Sequence, residues 1–188
     1  MNVVPKIRMT VPEFIDWAMA QPRGRFELVG GQVVEMSPER ARHNRAKLAV
    51  ARALEDAVRQ AGLSYVTFTD GMTLIIDERT AREPDAAVQP SENFDPDTLT
   101  LNDPIIVAEI LSPSSARADT TAKLAEYFSV PSIHHYLIVD PDERRPHVVH
   151  HAREAGSTSL RTTIHENGTI TLDPPGMTIP VAALLPKR

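Results

Sequence analysis

A single carboxylate interrupts the apolar run Pro104-Ile105-Ile106-Val107-Ala108-Glu109-Ile110-Leu111. Such a run reads as a central strand covered on both faces. An ionised carboxylate there costs several kcal/mol unless a cation or hydrogen-bond donors meet it. Glu109 is therefore kept for a buried ion pair or for chemistry, and the run alone leaves both open. Upstream, Glu83-Pro84-Asp85-Ala86-Ala87-Val88 opens a second strand, because proline cannot donate to a sheet ladder and belongs at a strand entrance. Asp85 then begins a strand beside that of Glu109. Two carboxylates on neighbouring strands repel unless a cation lies between them, and oxygen ligands of this kind suit magnesium or manganese. By itself the Pro-Asp dipeptide is equally an ordinary strand-opening turn.

The third candidate is Lys123, in Asp119-Thr120-Thr121-Ala122-Lys123-Leu124-Ala125-Glu126-Tyr127-Phe128. Helical spacing puts Thr120, Leu124, Tyr127 and Phe128 on the inward face, with Lys123 flanking it. Two orientations are open. Lys123 faces solvent and pairs with Asp119, or it reaches over the sheet toward Glu109.

Other groups carry less. His147, His150 and His151 sit on one late strand, where neighbours point to opposite faces, so they are read as structural and not as metal ligands. His134 and His135 are read the same way. Ser112 and Ser114 lack the glycines of a nucleophile elbow. Phosphate-binding GxxxxGK[ST] and dinucleotide-binding GxGxxG patterns do not occur.

The elements that must position these residues follow from the rest of the chain. Its 188 residues suit one domain, taken as residues 1–188 with a core at 10–140 and a closing meander at 141–188. The absence of cysteine excludes disulfides, thiolate zinc sites and thiol nucleophiles, and fits a reducing compartment. Neither a membrane-spanning apolar stretch nor a signal-peptide pattern is present, so the expected location is the cytoplasm, without membrane partners. A net charge of −5 argues against a surface coated in basic residues, though not against one local patch.

Thr10-Val11-Pro12-Glu13 reads as a capping box opening a helix over residues 11–20. Residues 25–29 and 32–36 form a hairpin around Gly30-Gly31. Ala46, Ala49, Val50, Ala53, Leu54, Ala57 and Val58 predict a long helix that Gly62 ends, with Arg45, Arg52 and Arg59 opposite. Between Arg23 and Arg52 seven basic residues stand against three acids, forming either a solvated helix face or a phosphate-contacting one. Strands are expected at 65–69, 72–76, 85–89, 105–111 and 135–139, with a helix over 118–128 and a surface loop over 90–104. The runs 148–150, 160–164 and 169–172 complete the meander. A strand–helix–strand unit makes part of the sheet parallel. The fold class is α/β, a mixed sheet flanked by helices with an added N-terminal hairpin.

The succession Phe26-Glu27-Leu28-Val29-Gly30-Gly31-Gln32-Val33, Met36-Ser37-Pro38, His43, Pro84-Asp85, Glu109-Ile110-Leu111-Ser112-Pro113-Ser114, Asp119, Lys123 and Tyr127 resembles the Uma-two family. These are restriction-endonuclease-like proteins of the PD-(D/E)xK nuclease superfamily. The resemblance covers residues 10–140. It implies a restriction-endonuclease-like fold in which Asp85 and Glu109 bind a divalent metal, with Glu27 and His43 near the same site. The superfamily's lysine position, two residues after Glu109, holds Leu111, and the resemblance implies that Lys123 replaces it.

The expectation is a nuclease that hydrolyses phosphodiester bonds, of DNA, with Mg2+ or Mn2+ held by Asp85 and Glu109. Lys123 would orient water or offset transition-state charge. Glu27 would be an outer ligand or hold the metal's water, and His43 would contact phosphate or that water. Arg42 and Arg45, as neighbours of His43, are the expected nucleic-acid contacts. A homodimer would supply two sites for two strands. The rival expectations are a nucleic-acid-binding or regulatory protein that keeps the nuclease fold without activity, and an interaction domain with merely ion-paired carboxylates.

Overall fold

The computed structural model describes residues 7–92, 94–111, 117–142, 144–154 and 159–185. The chain opens on α1 (Val11–Met19), where the Glu13 carboxylate accepts the Thr10 N–H and hydroxyl, each at 2.8 Å. β1 (Phe26–Val29) and β2 (Gln32–Glu35) pair antiparallel around Gly30 and Gly31, whose φ of 55° and 83° only glycine adopts cheaply. α2 (Ala41–Gln60) buries Ala46, Val50, Leu54 and Ala57 and leaves Arg45, Arg52 and Arg59 exposed, as its period predicts.

β3 (Tyr65–Thr69), β4 (Leu74–Asp77), β5 (Thr80–Arg82), β6 (Ala86–Pro90) and β7 (Ile106–Ile110) follow, then α3 (Arg117–Ser129) and β8 (His135–Asp140). β9 (His147–Arg153), β10 (Leu160–His165), β11 (Thr169–Leu172), β12 (Met177–Pro180) and α4 (Val181–Leu184) complete the described chain. The main sheet has the order β10-β9-β8-β7-β6-β3, with β7 and β8 parallel and β6 antiparallel to β7. The β7–α3–β8 crossover is the expected parallel unit.

Three expectations change. The hairpin is no isolated addition: β5, which the sequence reading missed, joins it to β4 in a sheet of order β2-β1-β5-β4. The meander divides, since β9 and β10 extend the main sheet whereas β11 and β12 form a separate two-stranded sheet among the described residues. Asp85 lies one residue ahead of its strand. β5 escaped notice because three residues are too few to show a period.

α2, β11, β12 and α4 cover one face of the main sheet through Ala86, Val88, Ile106, Ala108 and Ile110. The other face carries Ala87, Val107 and Ile138 beneath Tyr127 of α3. On the α2 face the buried His135 and His150 form a hydrogen-bonded chain. The Pro174 carbonyl accepts from His135 Nε2 at 2.8 Å, so His135 Nδ1 accepts from His150 Nε2 at 2.9 Å. Those contacts fix the orientation of both rings. Among the described residues no helix is long and apolar enough to cross a membrane.

Burial holds His135 down to about 4, and burial together with His135 holds His150 at about 3. Both are neutral in the folded state, while an unfolded histidine titrates near 6.5. Stability is then fully present above about pH 6.5 and falls as pH drops toward 4. Melting temperature measured from pH 7 to pH 4 should show this decline, and His150→Asn should flatten it.

Candidate active site

The antiparallel register of β6 and β7 pairs Ala86 with Ala108 and Ala87 with Val107. One step further sets Asp85 opposite Glu109, and residues directly opposed in a ladder share a face. That face is the one beneath α3. Glu27 and Arg82 arise likewise: Leu28 opposes Ala81, so Glu27 opposes Arg82 in the smaller sheet. Glu83-Pro84-Asp85 carries the chain directly from one sheet to the other. Three residues of sequence thus bring two pairs of charged strand positions together.

Asp85 is buried; its Oδ2 accepts the Ile110 N–H at 2.7 Å and its Oδ1 meets Lys47 Nζ at 2.7 Å. Glu109 Oε1 accepts from Lys123 Nζ at 2.9 Å and from the Tyr127 hydroxyl at 2.5 Å. Lys123 Nζ also lies 3.6 Å from Glu27 Oε1. Of its two open orientations, Lys123 takes the inward one, with only 9% of its side chain exposed. Glu27 is buried too, bound to Arg82 at 2.9 Å and to the Glu83 N–H at 3.2 Å. His43 Nε2 donates to the Ile110 carbonyl at 2.9 Å and lies 3.9 Å from Asp85 Oδ2. All five expected catalytic residues meet in one cluster. Arg42 and Arg45 do not enter it; they are exposed on α2. Ser112 and Ser114, and the side chain of Asp119, lie outside the described residues.

Sequence reasoning missed Lys47, which touches Asp85, Asp70 (2.9 Å) and Glu39. It counted Lys47 among the basic residues of a solvated or phosphate-contacting face, yet the side chain is 4% exposed. The signal was its place on the apolar stripe: His43, Lys47, Val50, Leu54 and Ala57 follow one another at steps of four and three. Arg82 was missed with its strand. It clamps Glu126 through Nε at 2.7 Å and NH2 at 2.9 Å, a bidentate fork. Arg25 joins Glu83, Glu39 and Asp70.

Burial chiefly, with the charge of Asp85 adding, pushes the Glu109 carboxyl up to about 7 against the pull of Lys123 and Tyr127. Burial also opposes the Lys47 charge, but Asp85, Glu39 and Asp70 outweigh it and hold that group above the ordinary lysine value. Among the described residues carboxylates outnumber cations here. Glu27, Glu39, Asp70, Glu83, Asp85, Glu109 and Glu126 share Arg25, Lys47, Arg82 and Lys123.

The family model "Uma2: Putative restriction endonuclease" matches residues 11–182. It therefore runs through β9–β12, well past the end of the stretch that carried the resemblance. The "Uncharacterized protein sll1609" of Synechocystis sp. (strain ATCC 27184 / PCC 6803 / Kazusa) is 30% identical over 123 residues, covering 64% of this chain and 68% of that protein. A crystal structure described as "a putative nuclease belonging to DUF820", from Anabaena variabilis ATCC 29413, matches with a TM-score of 0.70 at 14% identity. The match covers 94% of this chain and 97% of that one, and shows a shared α/β fold.

Removing the ammonium that three carboxylates share leaves buried charge uncompensated. Lys47→Met should cost about 3–5 kcal/mol in urea unfolding at pH 7. Arg59→Ala, which breaks the exposed pair with Asp56, should cost less than about 1 kcal/mol.

Proposed function

The chain belongs to the Uma2 family, and from that premise we propose that it is a divalent-metal-dependent nuclease acting on phosphodiester bonds, those of DNA foremost. The observation that carries this reading is the convergence of Asp85 and Glu109 on one sheet face, ringed, among the described residues, by more carboxylates than cations. The donor set fits a hard cation. Asp85 and Glu109 offer carboxylate oxygens, the donors a hard cation takes, although among the described residues no group of three or more acidic or histidine side chains is gathered as a metal site. Capacity remains, because a carboxylate has about four lone-pair sites and both contacts to Glu109 fall on Oε1. A raised Glu109 carboxyl beside Asp85 is the strain that positive charge would relieve.

Bound there, Mg2+ or Mn2+ supplies Lewis acidity toward a phosphoryl oxygen and lowers the pKa of a bound water. The chain's own residues do the rest. Lys123 and Tyr127 fix Glu109 by its Oε1, so the carboxylate cannot rotate away. Lys123 also brings positive charge to within reach of an incoming phosphate, while Glu27 holds it on the second side. Arg82 keeps Glu27 in place. His43 orients the Ile110 carbonyl and presents a ring beside Asp85. Arg42 and Arg45, on the exposed side of α2, supply backbone contacts, and a homodimer would bring two such sites to a duplex.

A second reading, a nuclease fold that binds nucleic acid without cutting it, draws support from Lys123 being held between two carboxylates. Scission separates the two. With Mn2+ or Mg2+ the protein should cleave DNA strands, Asp85→Ala should abolish cleavage, and Lys123→Met should slow it by about 10²–10³-fold. In parallel, Mn2+ should raise the melting temperature of the native chain and leave that of Asp85→Ala unchanged. Raised melting without scission would favour the second reading; neither effect would remove the metal site.

A further inference from the structure

An open cleft of about 360 Å3 lies between α1 and the turn after β3, within the range of small-ligand sites. Its apolar walls include Phe14, Met19 and Leu99, and its floor is Arg25, Asp70 and Glu83. Met19 is 66% exposed and Leu99 44% exposed, a costly arrangement for two large apolar side chains facing one cleft. The floor continues into the candidate active site. Asp70 Oδ2 meets Lys47 Nζ at 2.9 Å, and the same ammonium meets Asp85 Oδ1 at 2.7 Å. One amino group separates the cleft from the proposed metal ligand.

We propose that this cleft receives an unstacked nucleobase next to the scissile phosphate, and that it favours bases with an exocyclic amino group. The inference rests on the nuclease reading for the phosphate's position, and on the cleft's own chemistry for the base. Arg25 holds Glu83 through Nε at 2.8 Å and NH2 at 2.5 Å, making a flat fork that leaves a third of its side chain exposed. A planar guanidinium is a stacking surface for a base. The floor is a poor phosphate site, because Glu83, Asp70 and Glu39 outnumber Arg25 and Lys47. A neutral ring suffers no such repulsion. Both ion pairs of Asp70 use Oδ2, so Oδ1 keeps acceptor capacity. Adenine, cytosine and guanine carry exocyclic amino donors to meet it, whereas thymine and uracil offer only the ring N3–H, flanked by two carbonyl oxygens that the acidic floor repels. Extruded bases are held in this way, by edge hydrogen bonds and by apolar or aromatic walls.

The test uses the full chain with Mn2+ and single-stranded thymidine oligonucleotides. One central position is varied as adenine, 2-aminopurine, thymine or an abasic site. Anisotropy should show adenine binding at least threefold tighter than thymine and tenfold tighter than the abasic strand, and 2-aminopurine emission should change on binding. Met19→Asp and Leu99→Ser alter only exposed wall residues; they should melt as the native chain does and lose the discrimination. Equal affinity for all four strands, or discrimination that survives both substitutions, would overturn the proposal. Scission measured alongside keeps the two readings apart. Cleavage without base preference removes the cleft alone, base preference without cleavage removes the nuclease alone, and absence of both removes each.

Discussion

Two carboxylates facing each other across adjacent strands repel, and burial amplifies that repulsion because the surrounding dielectric is low. The β6–β7 register leaves the chain no choice about where Asp85 and Glu109 point, since one residue of slip would turn every side chain of the strand over. Much of the structure around them is a response to this placement. Lysines arrive from two different helices, one for each carboxylate, and a tyrosine caps the second. The smaller sheet contributes Glu27 and Arg82, which tie Lys123 and α3 to the same centre.

This layout explains why the site joins so many elements. α2 packs against the sheet face opposite the one that carries Asp85, so Lys47 meets that carboxylate where β6 begins. His43, one turn earlier on α2, reaches the same strand end through the Ile110 carbonyl. Buried ion pairs of this kind add little net stability, because desolvation consumes most of the Coulombic gain. Their worth lies in geometry. Glu109 is held by one oxygen and keeps the other for a hard cation, whereas both oxygens of Asp85 already carry one contact each and keep only their remaining lone pairs.

Much of this was legible in the sequence, for particular physical reasons. Glu109 stood out as a charge inside an apolar run, Asp85 as the residue after a strand-opening proline, and α2 and the hairpin through period and paired glycines. Lys123 was legible only as a choice between two orientations, which packing resolved. Lys47 was hidden because it was counted with its basic neighbours and not set against the stripe it occupies. Arg82 sits in a three-residue strand with no periodic signature, and Asp70 in a turn whose ion pairs span 45 residues of chain to Arg25. Contacts of that range belong to tertiary structure, and local pattern does not carry them.

The most direct trial of the account is a crystal of the native chain soaked in Mn2+, with the ion located by its anomalous scattering. One peak should appear, bonded to carboxylate oxygens of both Asp85 and Glu109, at the roughly 2.0–2.6 Å typical of hard cations. A peak elsewhere, or none while both lysine–carboxylate pairs stay closed, would contradict it.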